Sequence, residues 1–209
     1  EGVPTDVADR FAGTPVEDPA RAAGLLYPLA GTVFPQNVFP PDVQWERGAM
    51  EDLYRVSLEV TGVRIRAYVA HSGDGFGYHH LVDRDAWRAL AEAAPETGVT
   101  LRVDRWEAAT DEVIAGTPRT FRFADAVITG SIYYWDLQGG RILRIRGDGT
   151  GLEAFMPNPP PRPRDGQRCV PCHSVSRDSR RMAGALWGGG DYGAIFDLTE
   201  DLSGDPTPT

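Results

Sequence analysis

Apolar and polar side chains alternate through residues 54–60, where Tyr54, Val56, Leu58 and Val60 are interleaved with Arg55, Ser57 and Glu59. A two-residue period puts every second side chain on one face, so this run predicts a strand with one buried side. Thr61-Gly62 breaks the pattern, and Val63, Ile65, Ala67 and Val69 then resume it against Arg64, Arg66 and Tyr68. Two such runs around a short break predict a β-hairpin. Val99, Leu101 and Val103 alternate with Thr100, Arg102 and Asp104 in a further strand. Between them, Asp83 is placed to cap a short helix reaching Ala94, with Trp87, Leu90 and Ala91 turned inward and Pro95 enforcing its stop.

Residues 1–24 show no sustained apolar periodicity and read as a tail or a strap. From Tyr27-Pro28 to Pro40-Pro41 the prolines exclude helix at the residues before them, which predicts an extended approach to the first strands. Residues 25–108 therefore read as an immunoglobulin- or fibronectin-like β-sandwich. Residues 109–209 read as a second, β-rich domain with little helix. Phe121, Phe123, Val127 and Ile128 mark one strand region, and residues 131–136 and 141–146 form a hairpin across Leu137-Gln138-Gly139-Gly140. The proline run from Pro157 to Arg164 favours polyproline II and an extended, stiff path. Residues 181–187 and 194–198 predict two last strands joined by Gly188-Gly189-Gly190, and residues 203–209 are expected to fray.

That proline run leads into Cys169-Val170-Pro171-Cys172-His173, which holds the only two cysteines of the 209-residue chain. The spacing is C-x-x-C-H, the attachment sequence of a c-type haem. Two thiols set this far apart reach two vinyl groups of one ring, and the histidine after them can take an axial position on the iron. Cys169, Cys172 and His173 are thus the expected binding residues for one covalently attached haem c. Other chemistries fit less well. A redox dithiol belongs at a strand-to-helix junction, whereas a proline-rich coil precedes this motif and a Ser/Arg/Asp turn follows it. A structural zinc site needs two more ligands, and no second C-x-x-C or H-x₃-H supplies them. The adjacent His79 and His80 chelate one ion poorly. A structural disulfide would leave His173 without a role. Amphipathic helices of the kind that flank the porphyrin in helical cytochromes c are absent near Cys169.

Composition and charge add constraints. The net charge of −9 argues against a nucleic-acid partner. That charge is uneven: between Pro157 and Met182 six arginines (162, 164, 168, 177, 180 and 181) stand against Asp165 and Asp178 alone. The haem-bearing stretch is therefore basic on an acidic protein, as a docking patch for a redox protein partner or membrane redox complex would be. No apolar run approaches the ~20 residues needed to span a bilayer, so no transmembrane segment is expected. Haem c is attached outside the bacterial cytoplasm. The chain is accordingly expected to be periplasmic or at the cell surface, with a leader removed or left out of this numbering.

The segment from Cys169 to Ala183, CVPCHSVSRDSRRMA, resembles a group of exported bacterial proteins in which a haem motif runs directly into a β-propeller repeat of the TolB-like type. The repeat's turn there reads S-x-D-G-K/R. Tyr27-Pro28, Pro35, Pro40 and Trp45, with the Ile132-Tyr133-Tyr134-Trp135 strand, also look like the immunoglobulin-like module that precedes the propeller in that group. The sequence departs from the group in two ways. Ser179 stands where the repeat has glycine, and the chain ends about two strands past the motif, so the propeller is absent or truncated. The resemblance implies an exported monohaem cytochrome, either the front portion of a longer protein or a shortened version.

A six-coordinate iron needs a ligand opposite His173. Met182, ten residues after Cys172 and across the Asp178-Ser179 turn, is the expected one, and the resembling proteins often carry methionine near this place. Met156, Met50, His71, His79 and His80 are the alternatives, with histidine giving a lower potential. Tyr133, Tyr134, Trp135 and Trp187 are candidate pocket aromatics. The expected function is single-electron transfer and not enzymatic catalysis. A haem peroxidase with an open distal site, or a surface-binding sandwich with an ancillary haem, are the alternatives from other classes.

Overall fold

The computed structural model describes residues 2–93, 98–186 and 192–208. The protein is mainly β, with several antiparallel and mixed sheets and little helix, as the alternation predicts. It divides into two units, residues 1–128 and 129–209.

The first unit runs through α1 (Val7–Arg10), β1 (Gly24–Tyr27), β2 (Val33–Phe34), β3 (Asp42–Glu46), β4 (Leu53–Val60), β5 (Val63–Ala70), β6 (His79–Leu81), α2 (Arg84–Ala93), β7 (Val99–Glu107), β8 (Glu112–Ile114) and β9 (Arg119–Phe123). The larger sheet has the order β2-β9-β7-β4-β5, with β8 pairing β7, and the smaller has the order β1-β3-β6. The expected hairpin is β4–β5, in register from Leu53 opposite Ala70 to Val60 opposite Val63. The expected helix begins where Asp83 accepts the N–H groups of Asp85 at 3.0 Å and Ala86 at 2.9 Å. Its predicted stop at Pro95 lies outside the described residues. Trp87, Leu90 and Ala91 are buried, as their spacing requires. They join Leu25, Val43 and Trp45 of the smaller sheet and Tyr54, Val56, Val103 and Phe123 of the larger in one core.

One expectation about this unit is corrected. The division expected at residue 108 falls between Ile128 and Thr129, because β9 pairs with both β7 and β2 and so belongs to the larger sheet. Residues 1–24, expected as a tail or a strap, take the second form. Val7 and Phe11 pack with Leu53, Trp106 and Val113 against the sheet, which makes the segment a strap. The strap covers Arg55 of β4, which is buried together with Ser57 where the alternation assigned both to solvent. The guanidinium of Arg55 meets Asp104 at 2.7 Å and donates to the Phe11 carbonyl at 3.0 Å. Arg105 meets Asp52 at 2.7 Å and donates to the Arg21 carbonyl at 2.9 Å.

The second unit contains β10 (Ser131–Asp136), β11 (Arg141–Arg146), β12 (Glu153–Met156), β13 (His173–Val175), β14 (Arg181–Leu186) and β15 (Tyr192–Asp197). They form two three-stranded antiparallel sheets, β10-β11-β12 and β13-β14-β15. The bounds of the β10–β11 hairpin are those predicted, whereas Val127 and Ile128 join no strand. Ile142 and Met156 from the first sheet share a core with Met182, Leu186 and Phe196 from the second. Leu202 completes that core, and within the segment expected to fray Pro206 is buried whereas Ser203, Gly204, Asp205 and Thr207 are exposed. Trp187 and the triple glycine lie outside the described residues.

Asp104 is fully buried beside Arg55, and it also accepts the Gly116 N–H at 3.0 Å. Removing one partner of a buried pair leaves the other charge uncompensated. Asp104→Ala should therefore destabilise the first unit by about 3–5 kcal/mol, read as a lowered midpoint in urea unfolding followed by tryptophan fluorescence.

Candidate functional site

The path to the C-x-x-C-H motif starts at Met156, where β12 ends fully buried. The prolines that follow do not stay extended. Pro161 bridges to Arg168, the Arg162 N–H donates to the Gln167 carbonyl at 2.7 Å, and Gly166 at φ 74° turns the chain back. This corrects the stiff polyproline path: Asp165-Gly166 is a turn, and the Arg162 Nε donates to the Asp165 carboxylate at 3.1 Å to hold it closed. Arg168 donates to the Pro159 carbonyl at 2.7 Å and fixes the far side.

The motif itself is pinned at three points. Val170 is fully buried and belongs to the core of the second unit. The Cys172 carbonyl accepts the Ala185 N–H at 3.0 Å, which ties the loop to β14. His173 then opens β13, paired with Gly184. Cys169 is half-buried and Cys172 exposed, and the two are not bonded to each other.

His173 has a defined orientation. Its Nε2 lies 3.3 Å from the Tyr133 carbonyl on β10. A carbonyl only accepts, so Nε2 is the donor in this contact. The ring's Nδ1 is buried and has no hydrogen-bond partner. An imidazole with one nitrogen donating to a backbone carbonyl and the other left bare is oriented as metal-ligating histidines are. An open concavity of about 780 Å³ adjoins the motif, lined by Cys172, His173, Ser174, Ala183, Gly193 and Ile195 among others. Among the described residues no three His, Cys, Asp or Glu side chains are arranged around a common metal position. Two thiols and an imidazole nitrogen without a hydrogen-bond partner are a donor set that fits a haem held at its edge.

Met182 stands opposite Val175, and His173 opposite Gly184, on one antiparallel ladder. His173 and Met182 are therefore diagonal neighbours on the same face, a spacing of ~7–8 Å. Met182 is fully buried in the core on that face and does not line the concavity. Met156 is equally buried in the same core. Met50, His71, His79 and His80 belong to the first unit. There Met50 is exposed, the His71 Nε2 lies 3.1 Å from the Tyr78 hydroxyl, and the His79 Nδ1 lies 2.8 Å from Asp42. Burial holds His80 below the usual histidine range.

Tyr133 and Trp135 pack against the core that holds Met182, whereas Tyr134 is exposed on the opposite face of β10. The Trp135 indole N–H is buried without a partner. The expected basic patch is thinner than its sequence count. Arg162 is buried against Asp165, which leaves Arg164, Arg168, Arg177, Arg180 and Arg181 exposed, with Arg168 donating to the Pro159 carbonyl and Arg181 lying 3.9 Å from the Asp197 carboxylate. Val170 and Gly184 escaped the sequence reading. The variable positions of C-x-x-C carry no chemistry of their own, and the small-residue run Ala183-Gly184-Ala185 was the only sign of a close approach. No protein-family model, no curated protein and no solved structure matches this chain.

The β13–β14 turn holds its shape through Ser176 and Asp178. The Ser176 hydroxyl donates to the Asp178 carboxylate at 2.6 Å, and that carboxylate accepts the Arg180 N–H at 3.2 Å. These bonds keep the Asp178 pKa below the usual carboxylate range. Ser179 sits at φ 59°, the left-handed conformation that a glycine would adopt freely. The serine departure therefore leaves the turn geometry in place at a conformational cost. Ser179→Gly should stabilise the second unit by roughly 1 kcal/mol, read as a higher unfolding midpoint. A lower midpoint would show that the serine is not strained.

Proposed function

We propose that this chain is an extracytoplasmic monohaem cytochrome c that passes single electrons and performs no catalysis of its own. The observation that carries the reading is His173. It closes a C-x-x-C-H sequence, is held by the Tyr133 carbonyl through one ring nitrogen, and keeps the other bare and buried. In this reading Cys169 and Cys172 would hold the haem through two thioether bonds and His173 would ligate its iron. The group so held would supply a centre that accepts and releases one electron. Met182, a diagonal neighbour of His173 on the β13–β14 ladder, would be the second residue to ligate the iron.

The first unit, with two sheets and one helix around an aromatic core, takes the part of an immunoglobulin-like module that docks the cytochrome to a larger assembly. The exposed arginines 164, 168, 177, 180 and 181 would face an acidic surface on a redox protein partner or membrane redox complex. No helix among the described residues is long and apolar enough to cross a membrane. A periplasmic or cell-surface location follows from the covalent haem, which is attached outside the cytoplasm.

Two experiments test this. Exported with haem-c maturation factors, the chain should give a haem-staining band after denaturing electrophoresis, and the Cys169→Ala/Cys172→Ala variant should give none. A colourless wild-type band, with bound zinc or a Cys169–Cys172 disulfide, would overturn the reading. For the second ligand, the ferric protein should show the long-wavelength charge-transfer band of methionine ligation. Met182→Ala should abolish that band and lower the reduction potential. An unchanged spectrum, with the band lost in Met156→Ala instead, would move the ligand to Met156.

A further inference from the structure

We infer that Gly184 is a positioning residue for the haem-attachment loop, acting by accepting Val170 into the space where a side chain would stand. The inference rests on the reading of Cys169, Cys172 and His173 given above and adds to it the contact that sets where they stand. A Cβ built on Gly184 would lie 2.6 Å from the Val170 Cγ1, closer than carbon atoms approach in folded proteins. The next atoms it would meet, the Cys172 carbonyl oxygen at 3.7 Å and the His173 Cβ at 3.8 Å, are at ordinary contact distance. One methyl group of Val170 is thus the whole obstacle.

That methyl group has little freedom to withdraw. Val170 is fully buried in a packed core, and a β-branched side chain has a single torsion with which to move. The loop would have to shift instead. Val170 lies between the two cysteines, and the flanking contacts fall on the same short piece of β14. Ala185 donates to the Cys172 carbonyl, and Gly184 itself is the ladder partner of His173. A displacement at Val170 therefore reaches both thiols and the imidazole together. Gly184 is not needed for its backbone conformation: its φ lies outside the left-handed region, so alanine is free to adopt it. Substitution tests the contact and not the torsion.

The test compares wild type, Gly184→Ala, Val170→Ala and the double variant Val170→Ala/Gly184→Ala in the full chain. Protein made without haem supply is reacted with a thiol reagent, and the rate at Cys172 is read in a Cys169→Ser background. Protein exported with maturation factors is read for covalent haem and for its visible spectrum. Gly184→Ala should change the Cys172 rate, lose covalent haem and shift the ligation bands. The double variant should restore all three, because the obstructing methyl is gone. Gly184→Ala with wild-type thiol reactivity, haem content and spectrum would overturn the inference. So would a double variant that folds by circular dichroism yet is not rescued. If Gly184→Ala fails to fold, rescue of folding by the double variant supports the contact and failure of rescue refutes it. A wild-type chain that takes up no haem overturns the cytochrome reading alone, since the thiol rates still decide the role of Gly184.

Discussion

A stretch with proline at five of its seven positions, residues 157–163, has few N–H groups with which to build a sheet. A single bridge, Pro161 to Arg168, leads into the motif among the described residues, and the burial of Val170 is the side-chain contact that fixes its middle. That side chain enters the second unit's core from a loop, and the chain on either side is then fixed by what lies nearest. Ahead of it, the Arg162–Asp165 and Arg168–Pro159 contacts fold the prolines into a closed turn. Behind it, the backbone joins β14 and becomes a strand at His173. Two sheets that would otherwise be separate meanders thereby share one apolar interior, and the imidazole lies at its margin, where Tyr133 can reach it.

The first unit meets a related problem by different means. Its larger sheet has one face against the aromatic core and one that would face water, and the latter carries charge. The strap covers that second face, which takes Arg55 and Asp104 out of solvent as a pair. Burying ions is costly unless every donor finds an acceptor. Here the leftover guanidinium N–H groups bind backbone carbonyls of the strap itself. The group that would make the sheet face expensive to cover is the group that holds the cover in place.

Much of the fold could be read from the chain because it follows a period. The β4–β5 and β10–β11 hairpins and the helix capped by Asp83 all announce themselves through spacing and punctuation. What could not be read has a common physical character. Burial of Arg55 depends on a segment 44 residues away in sequence, and the membership of β9 depends on its pairing with β2 and β7. Neither leaves a local trace. At the site, Cys169, Cys172 and His173 stand out because a C-x-x-C-H spacing is local and can be read directly from the chain. The Tyr133 carbonyl does not, since any residue at that position offers the same oxygen. The basic patch was misjudged for the opposite reason: a count of charges does not reveal that Arg162 lies against Asp165.

All 21 basic residues of the chain are arginine. At most surface positions exchange with lysine is close to neutral, and drift between the two is expected. Arg55 and Arg105 lie outside that regime. Each directs one edge of a planar fork at a carboxylate and another at a carbonyl oxygen of the strap. A single ammonium at the end of a flexible stem cannot satisfy two acceptors set apart in this way. At these two sites the preference for arginine is therefore more than a genomic bias in codon usage. A descendant lineage that shifted its base composition could exchange most of the other arginines and would still be held to these two.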